Sequence, residues 1–408
     1  MILLRHLLLL LLMLVGVSSV WGDSTLVHRV EADVVPSYVI QSNRYLRGAN
    51  PDGVKINTSM PIKLKYTLQH AGNPDDVGAY HGFGVGMMLT NRQLGTLLMA
   101  YVVQGAPIVN LSRKVSLNYE LHLGLSFGWK AYREVDNEDN HVVGSEVNAY
   151  IGADVFLRFM LSRRWDLNAG AGFAHFSNAN LEMPNEGINN LGARLSAAYY
   201  FNRDESISRA SLLSAGTLPR NQRWVTDVVV YGAWKKKSLA LPATFGLGGF
   251  QISPMYRVNR AFAMGPSFDG VYDHSVNLKT GDADGDRQLE YESPRWTKQV
   301  ALGLQARAEL TMPVFRASAG IGYYVGGFST FYETLALKVD VARHFFLNIG
   351  DIIPKFRVRS RVYAFDSIRD ICFNFKDCLF KSLRIKIIGV LILSQRFHVP
   401  EKCGNNSM

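Results

Sequence analysis

Cysteine is scarce in this 408-residue chain: Cys372, Cys378 and Cys403 are the only three, and all lie near its end. Residues 23–371 hold none, so disulfides cannot be what holds the bulk of the fold together. Beyond the first residues no apolar run approaches the ~20 that a helix needs to cross a bilayer. His141, His274 and His344 have no partners at metal-ligand spacing, and no glycine pattern follows a strand and opens a helix as in a nucleotide site. No metal and no cofactor are therefore expected. Charge of one sign is also thin over most of the chain. The net charge is +10, but residues 351–408 carry eleven Lys/Arg against five Asp/Glu. The remainder is only mildly basic; for a chain whose start reads as an export signal, nucleic acid is a poor partner and attraction to an anionic membrane surface is the better reading.

What is present begins with MILLRHLLLLLLMLVGVSSVWG. Arg5 and His6 make a short basic start, residues 7–17 an apolar core, and Val20 and Gly22 supply small residues before Asp23. Residues 1–22 read as a secretory signal peptide and are left out of the fold.

The dominant signal after that has period two. In VSLNYELHLGLSFGW, from Val115, the odd positions are Val, Leu, Tyr, Leu, Leu, Leu, Phe and Trp, while the even ones are small or polar. Residues 147–159 and 299–312 repeat the pattern, with Asp154, Arg158, Arg307 and Glu309 on the polar parity. Residues 335–349 do so less cleanly, because Arg343 falls on the apolar parity. Side chains alternate across a strand, so each segment has one greasy and one polar face. Runs of about 10 to 15 residues exceed ordinary globular strands and match tilted spanning strands, and only a closed barrel satisfies every backbone group in lipid. The expected fold is an all-β antiparallel transmembrane β-barrel of about 12–14 strands, with charged residues facing a wet lumen. Further strands are predicted at 61–69, 78–90, 95–104, 165–176, 189–201, 224–235, 245–258, 260–272 and 316–326, with loops at 136–140, 203–220 and 277–294.

Three regions follow: the signal peptide at 1–22, a barrel at 23–350, and an atypical basic tail at 351–408, which loses the glycine and aromatic texture of the rest. In GDADGDRQLE, from Gly281, acidic residues alternate as at the start of a calcium loop, but Ser293 stands where the closing glutamate belongs, so a solvated loop is the better reading. Lys235, Lys236 and Lys237 read as a turn or interface cluster.

One stretch, AGFAHFSNANLEMPNEGINNLGA from Ala171, resists a structural reading. Leu167, Ala169, Ala171 and Phe173 are the lipid-facing set of their strand, and the next two on that parity are His175 and Ser177. In the following strand Leu191, Ala193 and Leu195 face lipid, and one step back on that parity is Asn189. Three polar residues on a membrane-facing surface suit a serine nucleophile, an imidazole base and a group that holds the imidazole's tautomer. Asn178 is placed to donate toward an oxyanion. Glu182 and Glu186, in the same loop, are alternative acids.

HFSNANLEMPNEGIN resembles the core of the bacterial lipid A 3-O-deacylase family, which includes longer members called acyloxyacyl hydrolases. The resemblance covers mainly residues 76–201; VPSYVIQSNRYLRGAN, PIKLKYTLQ and residues 224–350 look like the longer members. It implies an integral outer-membrane barrel of a Gram-negative bacterium, a serine esterase without cofactor that removes an ester-linked acyl chain from lipid A. By it His175 is the base, Ser177 the nucleophile and Asn178 an oxyanion donor. The implied partners are lipid A or lipopolysaccharide as substrate and outer-membrane lipids, with a homodimer left open. The shorter deacylases carry a glutamate at the place of Asn189, whereas outer membrane phospholipase A uses a His-Ser-Asn triad. That enzyme's Trp-Asn-Arg signature is absent, since GINNL stands there. The alternatives are accordingly a phospholipase A, or a non-enzymatic porin-like barrel.

Overall fold

The computed structural model describes residues 26–70, 78–178, 181–203, 211–212, 223–238, 240–282, 289–311, 315–342, 345–354 and 394–398. The predicted signal peptide at 1–22, residues 283–288 of the acidic loop, His344, and residues 355–393 and 399–408 of the predicted tail lie outside them.

The strands do form antiparallel barrels, but two of them rather than one of 12–14 strands. The first is built from β1 (Leu26–Val34), β2 (Ser37–Ile40), β3 (Thr58–His70), β4 (Tyr80–Leu89), β5 (Gly95–Asn110), β6 (Val115–Trp129), β7 (Val147–Met160), β8 (Trp165–Ser177) and β9 (Ile188–Tyr200). The circuit runs from β1 through β3 to β9 and closes where Arg29 pairs with Tyr200. The short β2 shares the slot of β1 between β3 and β9. Pro36, which has no N–H to give to a ladder, separates the two pieces. The circuit thus has eight positions.

The second barrel holds β10 (Trp224–Ser238), β11 (Leu241–Arg257), β12 (Phe262–Asp273), β15 (Val300–Thr311), β16 (Arg316–Gly326), β17 (Thr330–Ala342), β18 (Phe345–Pro354) and β19 (Ser394–His398), closed by pairing of β19 with β10. A hairpin of β13 (Lys279–Asp282) and β14 (Leu289–Glu292) occupies part of the expected 277–294 loop. The strand predicted at 335–349 is in fact β17 and β18, paired with each other. The two strands lie on either side of the sequence's parity break at Arg343, a residue outside the described ones.

An eight-strand circuit leaves an interior just wide enough for side chains. The polar faces accordingly meet each other instead of lining a wet channel. In the first barrel Arg29, Lys63, Lys65 and Arg194 interleave with Glu31, Asp33, Glu120 and Asp154, all buried. Arg194 reaches Glu31 at 2.6 Å and Asp33, Glu120 and Asp154 at 3.0–3.3 Å. In the second barrel Arg316 and Lys338 both bridge Asp227 and Glu309 at 2.6–3.0 Å. Four acids balanced by four bases leave each charge with a partner, which a low-dielectric interior demands. The outward parity is greasy: Leu64, Val102, Leu195, Leu302, Leu304 and Ile321 are all more than half exposed. The barrels touch through their outer walls, where Ala106, Tyr119 and Leu121 pack with Ala261, Leu310, Phe315 and Ala317.

The two ends of each barrel differ. In the first barrel, connections at 111–114 and 161–164 are tight, whereas those at 41–57 and 130–146 are long. Short periplasmic turns and long outer loops are the rule for such barrels, so the 130–146 end faces outward. The tight-turn end carries an aromatic girdle, with Trp165 against Tyr199 and Trp224 against Tyr256.

Replacing Arg194→Ala removes one cationic partner from each of four buried carboxylates. The first barrel is expected to lose about 3–5 kcal/mol, read as a lower urea midpoint for protein refolded into lipid vesicles.

Candidate active site

The site is assembled where β8 ends and β9 begins. Strand register sets His175 directly opposite Asn189, with Ile151 of β7 on the other side of His175 and Ala149 beside Ser177. All three polar residues therefore share the outward parity of Leu167 and Leu191, as the sequence pattern predicts. They are not bare on that face: His175 is 1 % exposed, Ser177 2 % and Asn189 3 %. Loop backbone covers them. Gly187 takes φ +68°, and a side chain there would stand 2.9 Å from the Phe176 carbonyl oxygen, 3.2 Å from His175 Cε1 and 3.6 Å from Ser177 Cβ. The β8–β9 loop is in turn tied to the β6–β7 loop, since the Glu186 and Gly187 amides donate to the His141 and Val142 carbonyls.

Inward neighbours make this arrangement rigid. Phe176, between His175 and Ser177, is fully buried, stacked on Tyr150 at 5.2 Å and tilted against Trp129 at 5.4 Å. Ile188, next to Asn189, joins the same cluster with Tyr45, Leu46, Val142 and Val143 from the long loops, which fold in over the barrel mouth. A strand residue held inward on each side of the site fixes its neighbours outward.

His175 Nδ1 lies 2.7 Å from Asn189 Oδ1. An amide oxygen only accepts, so Nδ1 carries the hydrogen and the lone pair sits on Nε2, the nitrogen from which a base would act. Asn185 Nδ2 lies 3.3 Å from Ser177 Oγ, and Asn185 Oδ1 accepts from the Asn178 amide at 3.1 Å. This amide escapes a reading based on parity because it sits in the loop; the Pro-Asn-Glu-Gly sequence around it is the turn signal that points there. Asn178 itself is turned to another task. Its Nδ2 donates to Ser145 Oγ at 3.0 Å and the Glu182 carbonyl at 2.9 Å, so both side-chain donors brace the loop rather than facing Ser177.

Neither loop carboxylate is hydrogen-bonded to His175 among the described residues. Glu182 Oε2 instead meets Lys236 Nζ of the second barrel at 2.7 Å. Deeper in the lumen Glu120, His122 and Asp154 bring ligand-type atoms within 4.8 Å of one another. Lys65 and Arg194 lie at 2.5 and 3.0 Å from Glu120, and Lys63 at 3.2 Å from Asp154, so cations of the chain already occupy these carboxylates. His274 lies 2.9 Å from Ser293, away from the site.

Residues 56–198 match the family described as Lipid A 3-O-deacylase (PagL), and residues 224–357 the family described as Acyloxyacyl hydrolase, C-terminal domain. The two matches fall on the two barrels. No curated protein matches the chain. Among solved structures, the outer membrane enzyme PagL is 13 % identical, with a TM-score of 0.29, covering 41 % of this chain and 97 % of that one. The beta domain of the Bordetella autotransporter BrkA is 11 % identical, with a TM-score of 0.23, covering 74 % and 93 %.

Gly187 supplies a direct test of the buried arrangement. Gly187→Ala meets both a positive φ and two close contacts, a strain of about 1–3 kcal/mol, which is relieved by lifting the loop. His175 is then expected to react faster with diethyl pyrocarbonate, while the heat-modified gel mobility of the barrel is unchanged.

Proposed function

We propose that this chain, whose two barrels match the lipid A 3-O-deacylase family and the acyloxyacyl hydrolase C-terminal domain family, is a serine esterase that removes an ester-linked acyl chain from lipid A. The protein is integral to the outer membrane. The observation that carries the reading is the His175 to Asn189 hydrogen bond beside Ser177, set on the outward parity of the wall.

The chemistry runs through side chains alone. Ser177 Oγ attacks the ester carbonyl as His175 Nε2 takes its proton. Asn189 Oδ1 holds the Nδ1 hydrogen and stabilises the imidazolium that forms, the part that a carboxylate plays in other triads. Asn185 Nδ2, near Ser177 Oγ, donates to the oxyanion in place of the role first given to Asn178. Collapse expels the sugar alkoxide, which takes the proton from His175. Water, deprotonated by the same imidazole, then opens the acyl-enzyme and frees the fatty acid. The membrane delivers the scissile ester to this wall, which relieves the protein of building a deep pocket. Residues 181–187 must move for entry, since Ser177 is buried and Gly187 backs directly onto it.

A narrow, side-chain-filled interior speaks against conduction through either barrel. Asn189, shared in type with phospholipase A barrels, keeps a glycerophospholipid ester as the second substrate to be examined.

Mass spectra of lipids from cells that express the chain decide between these substrates. The wild type is expected to shorten lipid A by one acyl chain and to leave phospholipids intact; lysophospholipid with unchanged lipid A would make it a phospholipase. Ser177→Ala should lower deacylation by at least ~10³-fold and Asn185→Ala by about 10²–10³, both with folded barrels.

A further inference from the structure

The loop over Ser177 is not held by its own barrel alone. Glu182 Oε2 lies 2.7 Å from Lys236 Nζ, near the end of β10. Two neighbouring lysines are engaged within the second barrel: Lys235 with Asp273 at 2.6 Å, and Lys237 with the Ser275 carbonyl at 2.9 Å. Lys236 finds its anionic partner in the other barrel, on the loop over Ser177. The same Glu182 receives Asn178 Nδ2 on its carbonyl, and Asn178 in turn gives its amide to Asn185. A chain of contacts thus runs from Lys236 to the amide beside Ser177.

The level of Lys236 in the membrane indicates what else it meets. It shares the outward parity of Trp234, which is 62 % exposed and lies two residues nearer the middle of β10. An outward tryptophan marks the boundary between acyl chains and headgroups. One step beyond it toward the outer rim, a lysine stands at the level of headgroup phosphates. Its pair with Glu182 is partly exposed, and such pairs exchange readily. A phosphate monoester carries about −1.5 to −2 charges at pH 7 and offers three acceptor oxygens, more than the single charge of Glu182.

We propose that Lys236 recognises a phosphate of the lipid headgroup, and that Glu182 occupies it until substrate arrives, so that headgroup binding releases the loop over Ser177. This rests on the esterase reading above and adds the second barrel to the site as the headgroup reader. The ligand shifts the loop only through its preference for the released form, since in the closed form Lys236 is taken.

The test uses the full chain carrying Ser177→Ala, in phosphatidylcholine nanodiscs, so that binding is read without turnover. Doping with bisphosphorylated lipid A should raise hydrogen exchange in the 178–188 peptide, and fully dephosphorylated lipid A should not. Adding Lys236→Ala should raise exchange without ligand and weaken binding of the phosphorylated lipid by about tenfold, with Lys236→Arg retaining affinity. Glu182→Gln should tighten it. Equal affinity of the two lipids, or no effect of Lys236→Ala, overturns the proposal. Loop release by inorganic phosphate alone, with no further effect of the lipid, overturns the headgroup assignment. Failure of the esterase reading shows separately, as wild-type protein that hydrolyses no lipid ester while these binding differences persist.

Discussion

Everything at the site depends on the inward anchoring of Phe176. It is held without exposure between Tyr150 and Trp129, in a plug made by the barrel's long loops. Side chains in a strand alternate, so locking Phe176 inward turns His175 and Ser177 outward together. Ile188 does the same for Asn189 one strand away, and antiparallel register then sets His175 opposite Asn189. Ser177, His175 and Asn189 thus sit at the ends of rigid strands, beneath the loop that covers them. The barrel lumen, which could have been a passage, instead serves as a foundation of matched charges and aromatic rings.

That foundation explains why the outer wall can carry polar residues at all. Serine, histidine and asparagine on a lipid-facing parity would each lack partners in hydrocarbon. Here Asn189 partners His175, and Asn185 donates to Ser177 while accepting from the Asn178 backbone amide, under a lid of backbone. The arrangement protects the site until the loop moves. The bond from Glu182 to Lys236 gives the second barrel a hold on that movement. Two eight-position barrels thus pack side by side, joined at their walls and by this ion pair at the site's covering loop.

Much of this was legible in the sequence because period-two alternation is a direct print of the strand. β6 and β16 run over the predicted residues, and the outward parity of His175, Ser177 and Asn189 follows from counting alone. The strand count did not follow, because alternation does not tell which strand closes on which. The pairing of β1 with β9 that seals the first barrel is a long-range contact without local signature. The single strand expected at 335–349 is instead two, β17 and β18, because alternation continues from one into the other past the parity slip in the sequence at Arg343. Asn178 is expected from the sequence to donate beside Ser177, its neighbour in the chain, whereas its side chain bonds Ser145 and the Glu182 carbonyl. The loop turns Asn178 aside and brings Asn185 back, and no periodicity governs a loop.

The central claim is that Ser177 is a nucleophile activated by His175. The most direct measurement is peptide mass spectrometry of the intact protein after reaction with a lipophilic fluorophosphonate. The account predicts one phosphonyl group, on Ser177, and its loss in His175→Ala. Labelling at another serine, or an active enzyme that leaves Ser177 unlabelled, would contradict it.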